Sequence, residues 1–457
     1  MEKHWRIKRG ADIRLAGLPD PAVRTAAPPA RYHIFPNEAP GVRPRLNVRA
    51  GDRVRRGSPL VHDKLRPAFQ WCSPAAGTVE RIVLGPRRRL EQIVIAPDGT
   101  DEAESFGACA AAAVRGLGRD AVLEKLQRSG LLALLRQRPF SKLPDPAATP
   151  KSLFVNGMNT APFQCDLAAA VRGAEPAFQA GLDALANLTP GPVHLCLPGG
   201  RADLPPALTQ AKNARVHYFS GPHPAGNTSV HIHHIDAISP GDTVWTVRGA
   251  DVVLIGELFL SGKLPTHRVV ALGGPGVRPD ACAHYRIRLG ADLSALLAGR
   301  LAEGEQRVIG GDALAGTKLD PAGGLRLQDS AITVVPEGRE RFLLGWMAPG
   351  FDRFSLSRLY PSTWLFRRKR WAHTTSLNGS PRAMVATGVY DRYVPMKIMT
   401  DYLIRAILAH DTDEAVQLGL LETDPEDFAL PAFACLSKMD LMGIVRAGLE
   451  EVEREGL

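Results

Sequence analysis

Four histidines and an aspartate lie within fourteen residues near the middle of the chain, in the segment HPAGNTSVHIHHID at 223–236. If this segment forms a β-strand, His231 and His233 project from the same face and could act as a pair of metal ligands. Candidates for the third ligand are His223, Asp236 and Glu257. No matching cysteine or carboxylate spacing accompanies the pair. The favoured interpretation is therefore a half-buried strand whose imidazoles bond to the backbone or to a neighbouring domain, and metal binding is the minority hypothesis.

A second residue with possible chemistry is Lys64, which lies within a run of short predicted strands and turns between 43 and 95. The sub-patterns GDRVRRGSPL and SPAAGTVERI resemble the barrel-sandwich fold of biotinyl and lipoyl carrier domains. A carrier is modified on a lysine in the hairpin between these motifs, and only Lys64 lies there. Its flanking residues match neither carrier pattern. A structural domain that has lost the carrier function is therefore favoured over a modified lysine.

The predicted secondary structure changes after residue 100, from short strands and turns to alternating helices and strands. Helical stretches (DAVLEKLQRSGLLALLRQ, AEPAFQAGLDALANL) alternate with compact apolar strands (SLFVNG, VHLCLPGG, ARVHYF, DVVLIG). This alternation is typical of an α/β domain with a largely parallel, Rossmann-like sheet. A glycine-rich turn that would deliver a nucleotide phosphate to a helix is missing from the expected position. The pattern therefore predicts the scaffold and not the nucleotide site.

Two further units follow. Residues 263–330 are predicted to form a β-grasp module of the soluble-ligand-binding type, with strands at RVVAL, HYRIRL and QRVIGG and a helix at DLSALLAGRL. From 395 onward the apolar spacing is helical, with Leu441, Val445, Leu449 and Val452 on one stripe. Thr423 or Asp424 followed by Pro425 is a helix-start signature. The predicted domains are a barrel-sandwich domain at 1–100, an α/β domain at 101–262, the β-grasp domain at 263–330 and a C-terminal region ending in helices at 331–457.

Composition narrows the class of function. The 457 residues carry 56 Lys and Arg against 47 Asp and Glu, a net charge of +9. Basic clusters at RVRRG, GPRRRL and FRRKRW could meet anionic lipid, an acidic partner or nucleic acid. Nucleic acid is the least favoured, because the clusters are scattered and no aromatic-rich RNA-binding strand or finger spacing accompanies them.

The cysteines and the apolar runs suggest a location. The six cysteines are far apart and form no CxxC pair, which argues against a zinc site or an iron–sulfur cluster. The longest apolar runs fall short of the roughly 20 residues that a bilayer requires, and the N-terminus lacks the apolar core of a signal peptide. The expected location is the cytoplasm or the cytoplasmic side of a membrane, without a transmembrane helix.

Four unlike segments in order resemble one family, the A subunit of the Na+-translocating NADH:quinone reductase (Na+-NQR). They are IKRGADIRLAG, RQRPFSKLP, GPHPAGNTSVHIH and TTSLNGSPRAMVATGVYDRYVP. The layout also resembles the C subunit of the Rnf complex and the flavin-binding subunit of complex I. The segment SGLLALLRQRPFSKLP corresponds to the flavin-cradling glycine loop of the latter, but here leucines and arginines replace the glycines. The resemblance therefore implies a scaffold without its flavin and cluster sites.

Membership of this family implies a peripheral subunit on the cytoplasmic face of the bacterial inner membrane. The complex would reduce ubiquinone with electrons from NADH and export Na+, with FAD, FMN, riboflavin and iron centres held by other subunits. This chain would bind no cofactor and would not be catalytic alone. Its partners would be the B to F subunits of the Na+-NQR complex, chiefly the membrane-embedded B subunit, and no nucleic acid. The alternatives from other classes are a free-standing flavin/NADH oxidoreductase and a degenerate carrier-domain protein.

The resemblance directs attention to RQRPFSK at 136–142. Arg136, Arg138 and Lys142 offer hydrogen-bond donors for the carbonyls of a quinone headgroup, and Phe140 offers an aromatic clamp. The alternative is a basic loop that docks on a partner through its charges. The sequence leaves the two interpretations open and assigns no catalytic residue.

Overall fold

The structure is a computed structural model that describes residues 3–340 and 347–456. In chain order, the strands of the described residues are β1 (Lys3–Arg6), β2 (Asp20–Thr25), β3 (Tyr32–Ile34), β4 (Pro44–Leu46), β5 (Arg53–Val54), β6 (Pro59–Asp63), β7 (Gln70–Cys72), β8 (Gly77–Leu84), β9 (Leu90–Pro97), β10 (Arg136–Arg138), β11 (Ser152–Asn156), β12 (Val193–Pro198), β13 (Arg215–Ser220), β14 (Val244–Arg248), β15 (His267–Gly273), β16 (Ala283–Arg288), β17 (Gln306–Gly310), β18 (Thr317–Lys318) and β19 (Ala331–Pro336). The helices are α1 (Ala111–Val114), α2 (Arg119–Ser129), α3 (Leu167–Val171), α4 (Glu175–Leu185), α5 (Pro206–Thr209), α6 (Thr228–Ile235), α7 (Gly249–Ser261), α8 (Ser294–Leu297), α9 (Ser362–Leu365), α10 (Thr400–Leu408), α11 (Thr412–Gln417), α12 (Ala429–Ala434) and α13 (Leu441–Glu455).

The N-terminal barrel-sandwich consists of two small antiparallel sheets. One has the order β3-β9-β8-β5 and the other β4-β6-β7. Lys64 lies exposed in the hairpin between β6 and β7, next to the buried carboxylate of Asp63. The strands before this unit belong elsewhere, since β1 pairs with β13 and β2 pairs with β16. The first residues of the chain therefore tie three sheets together.

A six-stranded sheet with the order β1-β13-β12-β11-β14-β10 forms the centre of the α/β unit. Its neighbouring pairs are parallel except for β14 with β10. Successive side chains of β11 point to opposite faces of the central sheet. Leu153 and Val155 belong to the apolar core shared with α4 and α7, and Phe154 belongs to the core shared with the C-terminal helices. The central sheet is thus covered on both sides, as parallel sheets require.

The predicted strands SLFVNG, VHLCLPGG and ARVHYF are confirmed as β11, β12 and β13, and AEPAFQAGLDALANL contains α4. The strand predicted at DVVLIG is wrong, because these residues lie in the thirteen-residue helix α7. Nine of the thirteen residues of α7 are buried. A helix that is apolar on all sides cannot be told from a buried strand by periodicity over six residues.

The third sheet is mixed and has the order β18-β17-β19-β15-β16-β2. Its strands β15, β16 and β17 cover the predicted RVVAL, HYRIRL and QRVIGG strands, and α8 lies within DLSALLAGRL. A separate apolar cluster fills the space between this sheet and α8.

The C-terminal region packs as helices against the central sheet. Leu441, Val445, Leu449 and Val452 are all buried on α13, which confirms the predicted stripe. Asp424 caps the 3-10 turn Pro425–Phe428 through a capping box, so the predicted helix start is confirmed. Within the described part of the chain, helices with the length and apolar character of a membrane span are absent.

Candidate functional site

The basic segment 136–142 begins as the edge strand β10 and continues into a tight turn. The amide of Gln137 donates to the carbonyl of Lys142 at 2.8 Å, which brings the two ends together. Phe140 and Ser141 have φ values of 76° and 47°, a left-handed conformation that costs a non-glycine residue free energy. The hydroxyl of Ser141 donates to the carboxylate of Asp424. Contacts with the C-terminal region thus hold the turn in this conformation.

Arg138 is the most deeply buried cation of the segment, with 2% of its surface exposed. Its Nη2 donates to Ser229 Oγ at 2.9 Å and to the carbonyl of Glu422 at 3.3 Å. Its Nη1 lies 3.6 Å from Asp424 Oδ2. The arginine therefore joins the edge of the central sheet to helix α6 and to the C-terminal region, and its donors are directed inward.

A buried carboxylate accompanies this arginine. Asp427 is 2% exposed, and its Oδ1 accepts a hydrogen bond from Asn227 Nδ2 at 2.9 Å. Burial raises the pKa of Asp427 to about 6, and the nearby charge of Arg138 opposes this rise. Arg138 thus compensates carboxylates that would otherwise be costly to enclose.

Arg136 points to a different junction. Its Nη1 donates to the carbonyls of Ala133 and Leu135 at 2.8 and 3.1 Å, and burial lowers its pKa to about 10. Burial also raises the pKa of Glu38 to about 7, with Asp329 acting in the same direction and Arg136 in the opposite one. Glu38 Oε2 accepts from the amide of Leu327 at 2.8 Å. This arginine therefore lies where the barrel-sandwich, the central sheet and the third sheet meet.

Lys142 and Phe140 are both partly exposed. Lys142 forms an ion pair with Glu453 on α13, and the two side chains are 30% and 37% exposed. Its Nζ also lies 5.4 Å from the centroid of the Phe140 ring. The ring is half-buried and packs against the apolar cluster of the C-terminal helices. The structure therefore brings Arg138, Phe140 and Lys142 together at one junction and directs Arg136 to another.

The histidine segment forms helix α6 and not the predicted strand. Successive helical residues are about 100° apart, so His231 and His233 point in widely different directions and cannot form a pair on one face. His231 is fully buried, with Nε2 3.1 Å from the carbonyl of Ala225, and burial lowers its pKa to about 3. His233 Nδ1 lies 2.6 Å from Glu422 Oε2. The bonding of the imidazoles to the backbone and to a neighbouring region is therefore confirmed.

Two of the three other proposed metal ligands are also engaged separately. His223 Nδ1 lies 3.1 Å from Thr160 Oγ1, and Asp236 accepts from Ser152 Oγ at 2.7 Å. Over residues 3–340 and 347–456, groups of three or more His, Cys, Asp or Glu placed to hold a metal ion are not found. The strand geometry on which the minority metal hypothesis depended is therefore wrong.

The carboxyl ends of β11 and β14 mark the point where the strand order of the central sheet reverses, the usual ligand crevice of such sheets. Leu167 from α3 fills this position between two glycines. A Cβ atom added at Gly157 or at Gly249 would lie 2.7 or 2.8 Å from a Leu167 methyl group. The apolar side chain thus occupies space that a phosphate would need.

A large cavity of about 1680 Å³ lies between the N-terminal segment and the C-terminal region. Its wall includes an aromatic cluster in which the rings of Phe354 and Phe433 lie 5.1 and 6.0 Å from the ring of His373. Arg14 and Trp371 also line it. Such a cavity could admit a planar apolar molecule between rings and cations. The sequence did not indicate it, because the wall residues come from distant segments.

Sequence reasoning also missed the acidic partners of the basic segment. Glu38, Asp424 and Asp427 were not among the candidates, although LETDPEDF at 421–428 carries four acidic residues. Complementarity between this acidic stretch and RQRPFSK was the available signal. Charge alone could not select it from the other acidic stretches of the chain.

Three family descriptions match successive parts of this chain. "NqrA N-terminal barrel-sandwich hybrid domain" matches residues 5–98, "NqrA second alpha/beta domain" matches residues 117–264, and "NQRA C-terminal domain" matches residues 269–320. The order agrees with the three sheet-containing units described above.

Curated relatives extend this similarity over the full chain. The A subunit of the Na(+)-translocating NADH-quinone reductase of Klebsiella pneumoniae (strain 342) is 41% identical over 453 residues, which cover 99% of this chain and 100% of the relative. The protein of the same name from Saccharophagus degradans is 41% identical over 458 residues, with the same two coverages. That from Pasteurella multocida is 39% identical and covers 98% of this chain and 99% of the relative.

Proposed function

Since the chain belongs to the family of the A subunit of the Na+-translocating NADH-quinone reductase, we propose that it acts as a peripheral subunit of that complex. The complex would reduce ubiquinone with electrons from NADH and couple this reaction to Na+ export, on the cytoplasmic face of the bacterial inner membrane. The B to F subunits would be the partners, chiefly the membrane-embedded B subunit. The observation that carries this proposal is the identity of about 40% with the named relatives over the whole chain.

Within the complex, the chain is proposed to hold no redox cofactor. FAD, FMN, riboflavin and the iron centres would belong to the other subunits. Two features of this chain support the proposal that the cofactors are held elsewhere. Leu167 fills the crevice of the central sheet, and Leu131–Leu135 are buried where the related flavin loop would carry glycines. The strand order β13-β12-β11-β14 supports a Rossmann-like origin of this sheet, and the third sheet is proposed to be a β-grasp module.

The chain's own role is proposed to be assembly and the shaping of the quinone-reduction site. Arg138 and Lys142 are occupied by Asp424 and Glu453, so they would act by fixing the C-terminal helices to the central sheet. Phe140 is half-buried beside them and is the residue of the segment with an aromatic face to offer ubiquinone. Arg136 would fix the opposite end of the segment to the barrel-sandwich junction.

Removal of the chain tests the assignment. A complex assembled without this chain is expected to lose coupled ubiquinone reduction and to keep most of its NADH oxidation with an artificial electron acceptor, because electron entry lies elsewhere in the complex. Both activities are measured on the same membranes, and re-addition of the purified chain is the control. Loss of the artificial-acceptor activity from an otherwise complete complex would place electron entry in this chain and contradict the proposal.

Phe140 separates the two roles of the segment. Phe140→Ala is expected to weaken quinone or inhibitor binding by roughly 1 to 3 kcal/mol in the assembled complex, because an aromatic contact is lost. Phe140→Leu keeps the apolar packing against the C-terminal helices and removes only the ring. If both variants lower retention of the chain in the complex and neither changes the affinity for quinone, the segment serves docking alone.

A further inference from the structure

Residues 353–371, here called the aromatic–basic loop, expose large apolar side chains that the proposed function does not use. The exposed fractions are 72% for Leu359 and 64% for both Trp364 and Leu365. Trp364 and Leu365 lie in the short helix α9. Scattered single apolar residues are common on protein surfaces, but several large ones on one loop mark an interaction site.

The loop is bonded to the N-terminal segment at its base, and Trp364 also lines the cavity described above. Trp371 is 6% exposed, and its amide donates to the carbonyl of Arg14 at 2.8 Å while its own carbonyl accepts from the amide of Ala16 at 2.9 Å. At the tip, Trp364 Nε1 donates to the carbonyl of Arg358 at 3.2 Å. The indole thus has its polar bond satisfied within the loop and presents its apolar body to the surroundings.

Cations directly follow the apolar residues. The four consecutive residues Arg367, Arg368, Lys369 and Arg370 are exposed, and within residues 3–340 and 347–456 they form no ion pair. The sequence contains no Asp or Glu between Asp352 and Asp391. The loop therefore carries a local excess of positive charge beside Trp364 and Leu365.

We propose that the aromatic–basic loop docks this chain directly on an anionic lipid surface, with Trp364 and Leu365 inserted at the headgroup level and Arg367–Arg370 against the phosphates. Tryptophan is favoured at the membrane interface, where an apolar ring and a polar N–H are both accommodated. Each basic residue near an anionic leaflet adds binding free energy, and apolar insertion adds a contribution that salt does not screen. A run of four consecutive cations is the composition of polybasic segments that bind anionic headgroups, and this run is the reason for choosing lipid as the partner.

The proposal deepens the peripheral membrane location proposed above and rests on it for its biological setting. It adds a contact that needs none of the other subunits. It also assigns a role to FRRKRW, one of the basic clusters that the sequence left unassigned between lipid, nucleic acid and an acidic partner.

The test uses the purified full chain and protein-free vesicles. The parent chain is expected to co-sediment with vesicles of phosphatidylcholine containing phosphatidylglycerol and to stay in solution with phosphatidylcholine alone. Arg367→Glu/Arg368→Glu should lower partitioning by about tenfold or more. Trp364→Ser/Leu365→Ser should remove the part of the binding that persists at high salt. Thermal melting of each variant verifies that it is folded.

Arg87→Glu/Arg88→Glu is the matched control, because both arginines are exposed in the barrel-sandwich domain and the change in net charge is identical. It should reduce partitioning far less than the Arg367/Arg368 variant. If both variants lose vesicle binding equally, the loss reflects the net charge of the protein and not the position of the cations, and the proposal is overturned. Vesicle binding of the Trp364/Leu365 variant equal to that of the parent would also overturn it.

Comparing vesicle binding with retention in the complex separates this inference from the proposed function. If the parent chain does not bind protein-free vesicles while Arg367→Glu/Arg368→Glu releases the chain from the assembled complex, the loop contacts a membrane protein. The lipid proposal then falls and the assignment to the complex stands. If the parent binds anionic vesicles but never joins the complex, the assignment to the complex falls and the lipid contact stands.

Discussion

The segment RQRPFSK at 136–142 and the segment FRRKRW at 366–371 are both basic and both contain a phenylalanine, yet their cations differ in burial and in partners. In the first, Arg138 is 2% exposed and surrounded by Ser229, the carbonyl of Glu422 and the carboxylate of Asp424. In the second, four cations are exposed and follow an exposed tryptophan. Composition therefore identifies a basic segment, but burial and partners decide whether it holds the molecule together or meets another surface.

The physical consequence is a difference in what each segment responds to. Buried charges are weakly screened by salt, and removing one member of a buried set leaves the others uncompensated. Exposed cations are screened within about 10 Å at 0.1 M salt, and their removal costs the fold little. We therefore expect the first segment to control stability and its pH dependence, and the second to control salt-dependent association.

The largest expected effect is on Arg138. Arg138→Ala leaves the buried carboxylate of Asp427 and the partly buried carboxylate of Asp424 without their cation, and is expected to lower the free energy of unfolding by roughly 3 to 5 kcal/mol. Arg368→Ala is the matched substitution in the exposed segment, and it is expected to change this free energy by no more than about 0.5 kcal/mol. Urea unfolding followed by circular dichroism compares the two.

The control for the buried substitution is its acidic partner. Asp424→Asn in the Arg138→Ala background should recover part of the lost stability, because one uncompensated carboxylate is removed. Equal unfolding free energies for Arg138→Ala and Arg368→Ala would show that the two segments do not differ as described.

The second prediction concerns the pH dependence of stability caused by Glu38, which lies near Arg136 at the other end of the buried segment. The folded pKa of Glu38 is raised to about 7 from 4.5, so the folded state favours the protonated carboxyl. The stability this group contributes is complete below about pH 4.5 and is lost as the pH rises through 7. Glu38→Gln should therefore be more stable than the parent at pH 8, by roughly 1 to 3 kcal/mol, with the difference vanishing near pH 4.5.

Glu303→Gln is the control for this measurement, because Glu303 is exposed on the third unit. Its melting temperature should follow that of the parent at every pH. The prediction is contradicted if the stability of Glu38→Gln also follows that of the parent at every pH, or is lower than that of the parent at pH 8. Glu38 would then be ionised in the folded protein and fully compensated by Arg136.

The sequence predicted those features of the fold that local chemistry decides. The barrel-sandwich followed from its turn residues, and the helix start at Asp424 followed from the capping residue before Pro425. Two predicted strands, at DVVLIG and around His231, are helices in the structure. In both, a short apolar window fits either period, and burial between the sheet and other helices favoured the helix.

The candidate site was predictable only in part, because its decisive contacts are not local. The sequence singled out Arg138 and Lys142 but could not supply their partners. Arg138 and Glu422, for example, are 284 positions apart in the chain. No spacing rule links residues at such a separation, since only the packing of the C-terminal helices on the central sheet brings them together.

The smallest expected effect tests the boundary between the two kinds of segment. Lys142 and Glu453 form an ion pair while remaining 30% and 37% exposed, so the pair lies between the buried and the exposed extremes. A double-mutant cycle with Lys142→Met and Glu453→Gln should give a coupling free energy of about 0.2 to 1 kcal/mol, which falls as salt is added. Arg138 and Asp424, measured in the same way, should couple more strongly and with less dependence on salt, because their side chains are only 2% and 17% exposed. A Lys142–Glu453 coupling as large and as weakly dependent on salt as that of Arg138–Asp424 would show that the buried behaviour extends to the end of the segment.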